Sequence, residues 1–240
     1  MANEKNDHTE ENFATIETAL GKSEQFIEKN KNILVYGTIG LFALVLVILG
    51  YNKYIRIPNQ EEAYNKIWHA EQYFAKDSFN LALNGDGVNP GFIEIIDDFG
   101  STPSGNLAQY YAGICYFNLA QNQEAEAAKA NFESALEYLE DFSSDDLNIM
   151  PMALGVMGDC QMELGDMEKA VAKYEDAARH NDNEFMTPLY LKKAGITYSV
   201  MGKHDKALQL FEEIKTKYFR SFEYSDIKKY IAREEQLLGK

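Results

Sequence analysis

The sequence predicts an all-α protein, a helical solenoid preceded by one transmembrane helix. Three observations point to it. Asn32 to Asn52 is an apolar block with no charged residue, bounded by Lys31 and Lys53. From Asn106 onward, small and aromatic residues return in a fixed order at helical spacing. The final segment, Ser221 to Lys240, is apolar on one side only.

A bilayer's hydrocarbon core is about 30 Å thick, and a helix needs roughly 20 apolar residues to cross it. Ile33 to Tyr51 has that length. Within it, the run from Leu41 to Leu49 offers lipid no polar side chain, and Gly37, Gly40 and Gly50 are of a kind that spans tolerate. A cleaved signal peptide would have a basic start, a shorter apolar core and a small-residue cleavage site. Here the preceding tail is acidic and Leu49-Gly50-Tyr51 is a poor cleavage site, so the block reads as an uncleaved anchor over residues 32–52.

Residues 1–31 read as a polar tail with a modest helical stripe at Phe13, Ile16, Leu20 and Ile27. Basic residues at the two ends of the span nearly balance: Lys22, Lys29 and Lys31 before it, Lys53, Arg56 and Lys66 after it. A short tail followed by an uncleaved span commonly acts as a signal anchor. That logic places the tail in the cytoplasm and the C-terminal domain on the far side.

The formal charge of −15 does not suit a protein that works by neutralising phosphates, and nucleic acid is excluded as an expected partner. From Asp77 to Glu168 the one basic residue is Lys129, whereas the balance turns slightly basic beyond Lys169. This acidic half is either a set of solvated helix faces or a docking surface. Cys115 and Cys160 are too few for a disulfide scaffold and read as small core residues.

Residues 53–105 form a broken first unit. A helical pattern starts after Pro58, with Ala63, Ile67, Ala70, Tyr73 and Phe74 on one face. A short helix, Phe79 to Leu83, precedes the turn-forming run Asn84 to Gly91, and Phe92 to Phe99 closes at Gly100. An EF-hand reading of Asp86 fails because no glutamate stands at the required later position.

Residues 106–221 carry three repeats. Gly113, Gly158 and Gly195 match, and so do Ala128, Ala170 and Ala207, each followed four residues later by an aromatic: Phe132, Tyr174 and Phe211. Ala135, Ala177 and Ile214 follow those by three. Small residues at a crossing let two helices approach closely, and the aromatic fills the gap to the next unit. The clearest copies are Pro151 to Glu184 and Pro188 to Ser221. Asn106 to about Glu140 has a turn lengthened around Gln121 to Glu124. One hairpin alone cannot bury its apolar face, so at least three must stack. Residues 222–240, with Ile227, Tyr230, Ile231 and Leu237 against Lys228, Lys229, Glu234 and Glu235, read as the capping helix.

On these residues the chain resembles the tetratricopeptide repeat family, whose helix-turn-helix unit spans about 34 positions. The resemblance implies a tetratricopeptide-repeat helical solenoid whose successive first helices line a concave groove. The groove positions would be Tyr110, Ile114, Phe117 and Asn118, then Met152, Asp159, Met162 and Glu163, then Leu189, Lys192, Ile196 and Val200. Tyr110, Phe117, Asn118, Met152, Asp159, Met162, Glu163 and Lys192 are the candidate partner-binding residues. Tyr, Phe and Met suit an adaptable apolar groove. Asp159 and Glu163 at its middle argue against the basic clamp by which some family members hold a partner's terminal carboxylate.

No chemistry-bearing constellation is expected. His8, His69, His180 and His204 are scattered without a second metal ligand at helical spacing, and no phosphate-cradling glycine loop or nucleophile elbow occurs. The reading is therefore of no enzyme, no cofactor, no metal and no small-molecule substrate.

The layout of tail, single span and helical repeats resembles the YfgM-type family, ancillary proteins of the bacterial Sec translocon. Asp77-Ser78-Phe79 with Ala82-Leu83-Asn84-Gly85-Asp86-Gly87, and Pro151-Met152-Ala153-Leu154-Gly155, look like single-span repeat proteins of Bacteroidetes-type bacteria. The resemblance implies a single-pass protein of the bacterial inner membrane with a periplasmic C-terminal domain. It would act as an adaptor whose partners are Sec translocon subunits, periplasmic chaperones or secretory chains. A scaffold for cell-envelope complex assembly and a cytoplasm-facing membrane receptor remain as alternatives.

Overall fold

The computed structural model describes the backbone of residues 4–240 and the side chains of residue 21 and residues 25–240. The chain divides into two units, Met1–Pro58 and Asn59–Lys240. Every described element is helical.

The first unit holds α1, Glu4–Tyr51, followed by a π-helical turn, Asn52–Arg56. The helix is longer than the apolar block because no proline interrupts it before Pro58. The side chains of Phe13, Ile16 and Leu20 lie outside the described residues. Those from Lys31 to Leu49 are all exposed. That is unlike a core helix, and an 18-residue window reaches a mean hydropathy of 2.6. The helix is thus long and apolar enough to cross a membrane. Its hydroxyl at Thr38 donates to the Leu34 carbonyl at 2.7 Å, which leaves it satisfied without water. The π turn has a local cause. Pro58 removes a backbone donor and crowds the preceding turn, and Ile57 N–H donates to Asn52 one residue further back than in an α-helix.

The second unit starts within α2, Ile57–Phe74, which buries Ala63, Ile67 and Ala70. The chain turns at Asp77, in the left-handed region at φ 56°. Then follow α3, Phe79–Asn84, and α4, Phe92–Phe99. Between them Asp86 accepts the backbone N–H groups of Val88 and Asn89, the Asn89 amide and the Tyr73 hydroxyl. Those donors, those of Asn89 first, hold its carboxyl well below the usual range. The expected inserted turn is therefore an ordered loop.

Three helical hairpins come next: α5, Pro103–Ala120, with α6, Ala125–Asp141; α7, Ile149–Glu163, with α8, Met167–His180; and α9, Met186–Val200, with α10, His204–Lys217. A 3-10 turn, Glu223–Ser225, leads to α11, Ile227–Leu237. Each helix from α4 to α11 packs on the next, and α5 also touches α7 and α7 touches α9. The first helices start earlier than Asn106, Pro151 and Pro188 because side chains upstream cap them. Thr102 accepts from Gly105 N–H, Asp146 from Asn148 and Ile149, and Asn183 from Phe185 and Met186. The tight turns within the last two hairpins place Gly165 and Gly202 at φ 83° and 72°, a region that favours glycine.

The hairpins are tied by contacts that recur at nearly constant sequence separation. Lys193 reaches Asp159, Lys192 reaches Asp226 and Arg179 reaches Glu213, each 34 residues apart. Ser199 to Glu234 spans 35 and Tyr218 to Asp182 spans 36. Such pairs require α7, α9 and α11 to run parallel, and α8 parallel to α10.

The crossings within the hairpins follow the sequence pattern in two cases and depart from it in one. A Cβ on Gly158 would collide with the Tyr174 ring, and one on Gly195 with the Phe211 ring, as the spacing predicts. Gly113, however, abuts Leu139 and the Ala135 carbonyl rather than Phe132. Ala135 and Leu139 are fully buried while Ala128 is half-buried, so the Ala128 and Phe132 register of the first repeat is corrected to Ala135 and Leu139. The reason is length. α5 continues to Ala120 and four residues precede α6, which moves the crossing down the second helix.

Candidate functional site

The predicted face is built by α5, α7 and α9. On α7, Met152, Asp159 and Glu163 share a side because i, i+7 and i+11 superpose on a helix. Alignment of Pro151 with Pro188 puts Leu189, Ile196 and Val200 at the matching places on α9. Of these, Met152 is 39% exposed, Ile196 37% and Val200 60%, and Glu163 is also exposed. They form the accessible part of the face.

The other candidates are engaged within the fold, most of them in contacts between helices. Tyr110 packs against Phe142, ring centroids 5.3 Å apart, and burial raises its hydroxyl pKa. Phe117 packs against Phe132 at 5.9 Å. Asn118 donates to the Ile114 carbonyl on its own helix at 2.8 Å. Met162 is half-buried on the core, its sulfur 3.7 Å from the Thr197 hydroxyl. Lys192 bonds Asp226 at 2.7 Å and lies over the Tyr230 ring, so it fastens α11.

Asp159 is not an open groove carboxylate. Lys193 Nζ lies 2.7 Å from each of its oxygens, and the buried Tyr174 donates its hydroxyl at 2.6 Å. Burial first, and this bond second, push the Tyr174 pKa far up. The groove charge expected of Asp159 is thus neutralised within the fold. Sequence reasoning missed Lys193, Asp226 and Thr197. The one signal for them was the repeat period itself, since each partner stands about one repeat away.

A second recess escaped the sequence reading. A cleft of about 370 Å³ opens between α2 and α5, lined by Tyr64, Ile67, Trp68, Glu71 and Leu107 among others. Tyr64 and Trp68 remain 72% and 54% exposed. Burial raises the Glu71 pKa, partly offset by a hydrogen bond from Tyr111. Cys115 and Cys160 are fully buried, and burial pushes both thiols up to about 12, which makes them inert packing groups.

Among the described residues no group of His, Cys, Asp and Glu has the geometry to hold a metal ion. Among the described residues, the fold and these surfaces define an all-helical chain with one helix long and apolar enough to cross a membrane and a second unit of stacked hairpins. No protein-family profile matches the chain, and no curated protein matches it significantly.

Proposed function

We propose that the chain is a membrane-anchored protein-interaction adaptor whose α5–α7–α9 face binds a polypeptide segment. The hairpins are read as tetratricopeptide repeats. The observation that carries this reading is the set of exposed apolar side chains Met152 on α7 and Ile196 and Val200 on α9, left uncovered while Asp159 and Lys192 beside them are paired off. The α1 helix supplies a single pass through the bacterial inner membrane, with the second unit in the periplasm. Such an adaptor would meet Sec translocon subunits, periplasmic chaperones or emerging secretory chains. It would need no catalytic group, cofactor, metal or nucleic acid.

Affinity purification of the detergent-solubilised chain tests the assignment. Translocon subunits, chaperones or unfolded secretory clients in the eluate support it. Folded envelope complexes alone would favour the scaffold reading. Protease cleavage at the Asn84 to Gly91 loop from the periplasmic side separates both from a cytoplasm-facing receptor.

A further inference from the structure

We propose that the loop between α10 and α11 rests on the headgroup region of an anionic bilayer, with Phe219 and Phe222 at the acyl boundary and Arg220 against lipid phosphate. This rests on the reading of α1 as a membrane span.

The loop presents an unusual surface for a soluble domain. Phe222 is 85% exposed and Phe219 56%. Between them Arg220 is exposed, its guanidinium 5.5 Å from the Phe219 ring. Lys217, which bonds Glu213, ends α10, and Lys228 follows Ile227 at the start of α11, both exposed. Phenylalanines flanked by cations are what an interface takes up, the rings at the boundary of headgroups and acyl chains and the cations on anionic lipid. The loop is held, not loose. Tyr218 is buried and donates its hydroxyl to Asp182 at 2.6 Å, and Ser221 Oγ accepts from Tyr224 N–H. The outward direction of both phenylalanines is therefore part of the fold. The Tyr218 bond also brings in the loop before α9, whose Phe185 is 81% exposed.

Position within the second unit supports the same occupant. On α2, Tyr64 and Trp68 share a cleft with Ser104 and Leu107, while Phe74 further along meets Tyr111, so α2 runs parallel to α5. Asn106 near the start of α5 bonds Ser143 just before α7. Parallel α7, α9 and α11 complete the row. All these helices start on one edge of the stack, and the Phe219–Phe222 loop lies on that edge, at the far end of the stacking order from α2. The apolar helix is joined to the second unit at Asn59, so a span tethers the unit to a bilayer and keeps lipid headgroups within reach. Asp145, Asp146 and Glu184 on the neighbouring loops would repel anionic lipid, which confines the contact to the C-terminal loop. A protein surface is the other possible occupant, and a lipid-only system excludes it.

The test uses the full chain in nanodiscs of phosphatidylcholine with and without phosphatidylglycerol. Nitroxides are attached singly at Val45→Cys, Phe222→Cys and Glu168→Cys, Cys115 and Cys160 being buried. Collisions with oxygen and with a water-soluble nickel chelate report depth. The proposal expects Val45 in hydrocarbon, Phe222 shielded from nickel and Glu168 open to it. Arg220→Glu should weaken the shielding about fivefold or more, in the discs with phosphatidylglycerol. A buried Val45 with Phe222 as open to nickel as Glu168 overturns the proposal and leaves the anchor standing. A water-accessible Val45 removes the anchor and the proposal together.

Discussion

Lys193 and Asp159 form a two-pronged ion pair between successive hairpins, with Nζ 2.7 Å from each carboxylate oxygen across 34 residues of sequence. The Tyr174 hydroxyl bonds the same carboxylate from the second helix of the hairpin. One acid thus joins three helices, α7, α8 and α9. Asp159→Ala leaves a buried hydroxyl and a lysine without their acceptor and should cost about 2–3 kcal/mol. Lys193→Met should cost less, about 1 kcal/mol, because its side chain is 35% exposed and water screens the pair. A double-mutant cycle by urea unfolding should return a coupling of about 1 kcal/mol.

The glycine crossings make a sharper structural prediction. Alanine at Gly158 or Gly195 must displace a buried aromatic ring, Tyr174 or Phe211, and each should cost about 1–3 kcal/mol. Tyr174→Leu should recover part of the Gly158→Ala loss by removing the ring that collides. If the pair of substitutions is simply additive in thermal melts, the crossing is not where the structure puts it.

Acid should loosen the α8–α10 contact. Arg179 bonds both oxygens of Glu213, and Lys217 a third time, which lowers the Glu213 pKa from 4.5 to about 2, Arg179 being the larger cause. A carboxyl depressed on folding stabilises above its unfolded pKa, and that stability is lost as pH falls from about 5 through about 2. Arg179 is 51% exposed, so screening reduces the contribution to about 1–2 kcal/mol. Glu213→Gln should lower stability at neutral pH and flatten the acid limb of the stability curve over that window. Equal slopes for the two proteins would contradict the assignment.

The anchor is tested by charge. Arginine at the centre of a span costs about 2.5–3.5 kcal/mol on insertion scales. Leu44→Arg with Leu46→Arg should move the chain from the alkali-resistant membrane fraction to the extractable one, whereas Tyr64→Arg, an exposed position on α2, should not.

What the sequence makes legible is local. The apolar block and the Gly158–Tyr174 and Gly195–Phe211 crossings follow from spacing within one helix or one hairpin. The first hairpin misleads because Ala128 and Phe132 repeat the pattern while α5 runs on to Ala120, and only the packed structure reveals that Leu139 fills the crossing. The candidate face misleads for another reason. Asp159 and Lys192 look free on their own helices, but their partners Lys193 and Asp226 stand on the next hairpin. Similarly, Glu234 sits on the charged side of α11 by composition. In the fold it is fully buried, accepts from Ser199 at 2.6 Å and lies 2.7 Å from His204 Nδ1.

The face of α5, α7 and α9 is proposed to hold another polypeptide. Site-specific photocrosslinking in intact cells tests it most directly, with the photoreactive residue at Met152 or Val200, which are exposed, and at Glu133 on the outer side of α6 as the reference. Discrete protein adducts are expected from Met152 and Val200, and none of the same species from Glu133. Adducts that are absent from Met152 and Val200, or identical from all three positions, would contradict it.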